Sequence, residues 1–203
     1  DYTKMTLEEQ ANYEAEQAEK GQIVFYGPSN FTRWSKENGV TPLAEALLGK
    51  SGKQCCINRG FGSTCPEHHL YYYHRMVKPL EPEVMVYFPG LGNGVRFGYT
   101  PEELWDLSQR VMVYAKTDFP ELRIYLLGLN TWKLKSEDSK RFDGWKSEFA
   151  EKMPDCTYLD IANYEPMQRL DIYIEDNVHY NQEGYRLYGE YFREKLRHEL
   201  DAF

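Results

Sequence analysis

Short runs of apolar residues alternate along the chain with longer segments in which apolar residues recur at helical spacing. Five of these runs predict buried strands, and the first of them, residues 22–27, is rich in β-branched and aromatic residues and is followed by Pro28. We predict the strands at residues 22–27, 53–58, 83–88, 122–128 and 157–161. Because the runs at 22–27, 83–88 and 122–128 are apolar at most positions, they predict a sheet that is covered on both faces.

The segments between the strands predict helices. The clearest helix begins at Pro101, where Thr100 and Glu103 form a capping box, and it extends to about Lys116. We predict the remaining helices at 6–20, 66–77, 140–152 and 182–200, with short helical turns at 31–34 and from 41 onward. Alternating strands and helices predict an α/β fold, a three-layer α/β/α sandwich around a mostly parallel five-stranded sheet.

One domain is expected for 203 residues with 41% hydrophobic content. We predict a helical N-terminal extension over residues 1–21, and residues 22–203 form the domain. No apolar run reaches the roughly 18 to 20 residues of a membrane span, and the first twenty residues are acidic rather than signal-like. A cytoplasmic chain is expected, with export left open because the sequence begins at Asp1.

The formal charge of -8 makes nucleic acid an unfavourable partner, since phosphate binding needs a concentrated basic face. A small neutral or cationic molecule fits this charge better, and self-association is left open. The cysteines do not form a disulfide framework, because Cys55 and Cys56 are adjacent within an apolar run. Cys65 and the histidines that follow it lack metal-ligand spacing on a helix that starts near Pro66, so no metal site is expected.

Polar side chains follow three of the predicted strands. The carboxyl ends of parallel strands meet at one edge of a sheet, so we expect Ser29, Gly62 and Asn93 to converge there. Asp176 and His179 precede the last helix and can reach the same edge. An acid, a base and a serine are the three members of a hydrolytic triad.

Three segments resemble the conserved blocks of the SGNH/GDSL hydrolases. Residues 27–34, GPSNFTRW, resemble the first block, a Gly-x-Ser followed by a Trp five residues after the Ser. Residues 58–64, NRGFGST, resemble the second block of a bacterial branch, and residues 176–185, DNVHYNQEGY, resemble the last block. The blocks occur in family order, and the match covers the chain from about Ile23 to Leu196.

This resemblance implies a flavodoxin-like sandwich and ester hydrolysis through an acyl-serine intermediate, without a metal or organic cofactor. Ser29 would be the nucleophile, His179 the general base and Asp176 the residue that orients the histidine. The oxyanion hole would consist of the backbone N–H groups of Ser29 and Gly62 and the side-chain amide of Asn93.

The sequence departs from the family pattern at three positions. Pro28 stands where an Asp is usual, and Ser63 replaces a second glycine. The third block, usually Gly-x-Asn-Asp, occurs as Gly90-Leu91-Gly92-Asn93. Read without a gap it leaves Gly92 at the asparagine position; read with one inserted residue it supplies Asn93, and we prefer this second alignment.

Two of the candidate site residues, Ser29 and Asn93, also have a purely structural interpretation. Ser29 after Gly-Pro could serve as a helix cap, and Asn93 between two glycines could serve as a turn residue.

We predict hydrolysis of a short acyl ester, such as an acetyl group on a carbohydrate. Two alternatives stay open: a catalytically weak protein that binds a glycan or protein partner, and a thioesterase or lysophospholipase.

Overall fold

The structure is a computed structural model that describes residues 12–14, 16, 18–130 and 136–203. The helix predicted over residues 6–20 therefore lies largely outside the described residues.

Five strands form one sheet in which every neighbouring pair is parallel, in the order β2-β1-β3-β4-β5. The strands are β1 Ile23–Gly27, β2 Cys56–Gly60, β3 Val84–Tyr87, β4 Arg123–Leu127 and β5 Cys156–Leu159. All five predicted strands are confirmed. The strand β2 lies closer to the C-terminus than the predicted range of 53–58. Residue 54 forms an isolated bridge with Leu48 before the strand begins, and the strand continues to Gly60, which pairs with Gly27.

Helices connect the strands and cover both faces of the sheet. They are α1 Ser29–Thr32, α2 Leu43–Ala46, α3 Pro66–Met76, α4 Gly92–Arg96, α5 Pro101–Asp118, α6 Glu137–Lys152, α7 Gln182–Lys195 and α8 Arg197–Leu200. Short 3-10 turns lie at Lys36–Asn38, Lys78–Leu80, Ile161–Asn163 and Glu165–Met167. Across the described part of the chain, no helix has both the length and the apolar character needed to cross a bilayer.

Three helix predictions needed correction at their ends, and one helix was not predicted. The turn predicted at 31–34 begins earlier, at Ser29. The helix predicted from 140 begins at Glu137, because the Ser136 side chain caps it by accepting a hydrogen bond from the Ser139 amide (3.1 Å). The long last helix is broken at Leu196, where ψ is 12°, and α8 follows. The glycine-rich segment after β3, where Asn93 could have been a turn residue and no helix was predicted, forms α4.

The two faces of the sheet carry separate hydrophobic clusters, because successive side chains of a strand point to opposite sides. Ile23 and Phe25 of β1 contribute to the cluster on the side of α1, α2 and α7. Val24 and Tyr26 contribute to the cluster on the side of α3, α5 and α6. This arrangement confirms the three-layer sandwich and leaves the carboxyl ends of the strands as the edge where loops meet.

Candidate active site

Ser29 lies at the carboxyl end of β1 and is the first residue of α1. Helix α1 sits directly on the end of β2, since a Cβ atom added to Gly60 would come within 2.6 Å of the Phe31 Cβ. Asn58 locks the contact: its side-chain amide donates to the Phe31 carbonyl (2.6 Å), and its oxygen accepts from the Gly60 amide (2.9 Å). The first and second blocks are therefore joined by backbone packing that only glycine at position 60 allows.

A continuous line of hydrogen bonds links the serine, the histidine and the aspartate. The Ser29 Oγ lies 2.9 Å from the His179 Nε2, and the His179 Nδ1 lies 2.5 Å from the Asp176 Oδ2. The Asp176 Oδ1 accepts hydrogen bonds from the backbone amides of Val178 (2.9 Å) and His179 (3.0 Å). The structure thus brings together all three residues that the sequence proposed as a triad.

The turn that carries Asp176 and His179 is closed by its own backbone. Asn177 adopts a left-handed conformation with φ of 57°, which asparagine tolerates better than most residues. The Ile174 amide donates to the His179 carbonyl (2.9 Å), and Tyr173 pairs with Tyr180 as an antiparallel bridge. The segment is therefore a short hairpin that leads into the Asn181 cap of α7.

Asn130, which our sequence reasoning missed, ties this hairpin to the end of β4. Its side-chain amide donates to the hydroxyl groups of Tyr173 (3.2 Å) and Tyr180 (3.1 Å). Both tyrosines flank the turn that holds the aspartate and the histidine. A polar residue two positions after the predicted strand glycine, Gly128, is the sequence signal that could have identified it.

The environment of Asp176 favours its charged form. Burial by itself would raise the pKa of this carboxyl, but hydrogen bonds from the His179 ring and from the His179 and Val178 amides lower the pKa to about 2. Asp176 is therefore ionised at neutral pH and can hold the His179 ring with Nδ1 protonated and Nε2 facing the serine.

The triad is accessible from solvent. The His179 side chain is 24% exposed and Ser29 is half-buried, while Val178 between the acid and the base is strongly exposed. A cavity of about 740 Å³ lies beside α1 and α2, where Arg33 and Leu43 line it, and none of the triad residues borders it.

The third block meets the second through Asn93. The Asn93 amide nitrogen donates to the Thr64 carbonyl (3.1 Å), and its oxygen accepts a hydrogen bond from the Arg96 guanidinium. Gly92, the residue that the ungapped alignment would place at the asparagine position, is exposed and has no side-chain donor. Ser63 of the second block has φ of 57°, a conformation that the glycine usual at this position adopts more easily.

The cysteine and histidines near Pro66 have contacts of their own. The His68 Nδ1 accepts a hydrogen bond from the Cys65 amide (3.1 Å) at the start of α3. Within the described residues, no three His, Cys, Asp or Glu side chains are grouped so that they could hold a metal ion.

Comparison with known proteins gives matches in structure only. No family model matches the sequence, and no curated protein matches it. A Bacteroides fragilis protein described as an acylhydrolase superposes with a TM-score of 0.74 at 18% identity, covering 97% of this chain and 98% of that one. A GDSL-like lipase from Bacteroides thetaiotaomicron gives 0.68 at 17% identity, with 98% of each chain covered.

A family 3 carbohydrate esterase from Clostridium thermocellum also shares the architecture. It superposes with a TM-score of 0.59 at 13% identity, covering 90% of this chain and 98% of that one. At sequence identities this low, the structural similarity shows a shared fold but does not identify the substrate. The chain therefore has the fold of the SGNH/GDSL hydrolases, as its three sequence blocks predicted.

Proposed function

We propose that this protein is a serine esterase that hydrolyses short-chain carboxylic esters through an acyl-serine intermediate. The observation that carries the proposal is the line of hydrogen bonds from Ser29 Oγ through the His179 ring to the Asp176 carboxylate. A serine hydroxyl is a weak nucleophile unless a base removes its proton, and the His179 Nε2 is within proton-transfer distance.

The reaction proceeds in two halves. The Ser29 Oγ attacks the ester carbonyl carbon while His179 accepts the hydroxyl proton, and the imidazolium then gives that proton to the departing alcohol. A water molecule attacks the acyl-serine with His179 again as the base, which releases the carboxylic acid and restores Ser29. Asp176 stays ionised and stabilises the imidazolium that forms in each half.

The negative oxygen of each tetrahedral intermediate requires hydrogen-bond donors. We assign this role to the backbone N–H groups of Ser29 and Gly62 and to the Asn93 amide. The contact of the Asn93 side chain with Thr64, two residues after Gly62, supports the gapped alignment of the third block. An amide nitrogen carries two hydrogens, so donation to Thr64 is compatible with a second donation to an oxyanion.

An acetyl ester of a carbohydrate is the substrate that we favour. The solvent-accessible triad, which does not border the 740 Å³ cavity, suits a small acyl group on a bulky polar alcohol. The net charge of -8 disfavours an anionic alcohol, and a carbohydrate esterase is among the proteins that share the fold.

A longer acyl chain, as in a lysophospholipid or thioester, is the second candidate. Val178 is 61% exposed beside His179, and Val95 and Phe97 are 46% and 43% exposed at the end of α4. These side chains could contact an alkyl chain. A series of aryl esters from acetate to octanoate separates the two candidates, since a preference for acetate supports the first and a rise in kcat/KM with chain length supports the second.

The triad is tested with Ser29→Ala and His179→Ala variants in the hydrolysis of an aryl acetate. Each variant is expected to lower kcat by roughly 10⁴- to 10⁶-fold, because the nucleophile or its base is lost. Ser35→Ala is the matched control, since Ser35 is also half-buried just after α1 but lies outside the triad.

A phosphonate ester that reacts with activated serines gives an independent readout. Mass spectrometry of the labelled protein is expected to find the adduct on Ser29 in the wild type and in Ser35→Ala, and no adduct in His179→Ala. Unchanged hydrolysis in both triad variants would refute the assignment.

A further inference from the structure

A buried polar cluster lies beneath the second-block loop. Thr64, His69 of α3 and Tyr87 of β3 are all 0% exposed. The His69 Nε2 lies 3.0 Å from the Thr64 Oγ1, and the His69 Nδ1 lies 2.9 Å from the Tyr87 hydroxyl oxygen. The resemblance to known hydrolases assigns no role to this histidine.

The positions of the hydrogens in the cluster follow from counting donors and acceptors. The Thr64 Oγ1 lies 2.6 Å from the Phe61 carbonyl oxygen, and two oxygens can approach this closely only if the hydroxyl donates. Having given its one hydrogen to Phe61, Thr64 must accept from His69, so the proton of the imidazole is on Nε2. Nδ1 is then the acceptor, and Tyr87 is the donor.

A neutral imidazole is consistent with this assignment. Burial, together with the neighbouring His68, holds the pKa of His69 well below its ordinary value. Hydrogen bonds therefore run in one direction, from the Tyr87 hydroxyl through His69 to Thr64 and on to the Phe61 carbonyl. We call these three side chains the Tyr87–His69–Thr64 relay.

Thr64 contacts both segments that carry proposed oxyanion donors: the turn with the Gly62 backbone N–H, and α4 with the Asn93 side-chain amide. Its hydroxyl closes the turn from Phe61 to Thr64, which contains Gly62 and the left-handed Ser63. Its carbonyl accepts the amide of Asn93 (3.1 Å). A rotation of the Thr64 side chain would release the turn around Gly62, and a shift of its backbone would move the Asn93 amide.

We propose that His69 is a positioning residue for the oxyanion hole, acting through Thr64 on the Gly62 amide and the Asn93 side chain. This inference rests on the proposed esterase function. If the donors are held for the transition state rather than for the bound ester, then disturbing the relay must lower kcat with little change in KM.

The test compares a buried substitution within the relay with a buried substitution beside it. His69→Phe keeps an aromatic ring but removes both ring nitrogens, so the Thr64 hydroxyl loses its donor and Tyr87 its acceptor. Tyr26→Phe is the matched control, because Tyr26 is also 0% exposed and its hydroxyl donates to the backbone carbonyl of His69 (2.7 Å), not to a relay side chain. The Tyr26 ring packs against the rings of His69 and Tyr87, and Phe keeps that packing. His69→Gln keeps an N–H near the Nε2 position and serves as the conservative variant.

We expect His69→Phe to lower kcat for an aryl acetate by about 10- to 100-fold, less than the loss of a whole oxyanion donor, with KM within about threefold of wild type. His69→Gln is expected to recover most of that loss. Tyr26→Phe is expected to lower the melting temperature and yet keep kcat within about threefold of wild type. Should His69→Phe fail to fold, Tyr87→Phe removes the donor to His69, together with the contact of that hydroxyl with Ser108, and is also expected to lower kcat.

Two failures are distinguishable. A wild-type protein that hydrolyses no ester, or one whose activity is unchanged in Ser29→Ala, overturns the proposed function. An active wild type in which His69→Phe, or Tyr87→Phe in its place, keeps the kcat of Tyr26→Phe overturns the positioning role alone. Nitrogen-15 NMR of the His69 ring supplies a readout apart from activity: a protonated Nδ1 would contradict the relay, and a protonated Nε2 supports it.

Discussion

Asp176 performs two tasks with the two oxygens of one carboxylate. Oδ1 accepts the backbone amides that close the turn, and Oδ2 contacts the His179 ring. The left-handed Asn177 makes this division possible, because it folds the chain back so that Val178 and His179 present their amides to the preceding side chain. Asp176 orients the His179 ring and is itself fixed in place by the backbone amides of Val178 and His179.

The lowered pKa of Asp176 predicts a pH-dependent contribution to stability. Its folded pKa of about 2 lies below the ordinary value of 3.8, so its charge stabilises the fold above about pH 4, and this contribution is lost as the pH falls towards about 2. Asp176→Asn removes the charge. The difference in urea midpoint between wild type and variant is expected to shrink as the pH falls from about 4 towards about 2. A difference that stays constant down to pH 2 would contradict the lowered pKa.

At the scale of elements, α4 shows how a glycine-rich segment becomes a helix. Gly94 is buried, and a Cβ atom there would overlap the Leu104 side chain of α5. Glycine is a poor helix former, but its lack of a side chain lets α4 lie against α5. This packing places Asn93, on the first turn of α4, against the carbonyl of Thr64.

Because α4 positions Asn93 for the proposed oxyanion hole, Asn93→Ala is expected to lower kcat. If the Asn93 amide completes the oxyanion hole, kcat is expected to fall by about 10²- to 10³-fold, the typical effect of losing one donor. The melting temperature should change little, because Asn93 is only half-buried. Asn163→Ala, which changes an exposed asparagine in the 3-10 turn after β5, outside the proposed oxyanion hole, is the control. Equal kcat values in the two variants would favour the ungapped alignment of the third block.

At the scale of the whole molecule, a buried ion pair connects α6 to the edge that carries the site. The Lys146 ammonium is fully buried, lies 3.2 Å from the Asp143 carboxylate and donates to the Leu127 carbonyl at the end of β4 (3.1 Å). The same carboxylate accepts the Leu129 amide, next to the Asn130 that holds the hairpin of Asp176 and His179. Burial raises the pKa of Asp143 and lowers the pKa of Lys146, so the two charges depend on each other.

Breaking this pair should be more harmful than removing it. Asp143→Asn leaves the Lys146 charge buried without its partner, which is expected to cost about 3 to 5 kcal/mol in the free energy of unfolding. The double variant Asp143→Asn with Lys146→Met removes both charges and is expected to be more stable than the single variant. Urea unfolding measures both.

The pH dependence of the single variant gives a second check. An unpaired buried lysine has a lower pKa in the folded state than in the unfolded state, so the stability of Asp143→Asn is expected to rise with pH through the alkaline range. If the single and double variants are equally stable at every pH, the buried pair does not have the proposed role.

The sequence was sufficient to predict the elements and the triad candidates. The strands are continuous apolar runs, and the helix at Pro101 carries its start signal in Thr100 and Glu103. Ser29, Asp176 and His179 stand in local motifs that a single chain displays. The burial of His69 could also have been predicted from the sequence, because it shares one face of α3 with the buried residues Tyr73 and Met76.

The tertiary structure alone decided how these parts meet. Ser29 and His179 are 150 positions apart, and their 2.9 Å contact depends on the register of the sheet and on the hairpin before α7. The Asn130 tie joins residues 43 and 50 positions apart, and α4 and the Tyr87–His69–Thr64 relay depend on contacts between different helices, strands and loops. Local periodicity reports which face of an element is buried, but the partner that a buried polar group finds is set by the packing of the whole molecule.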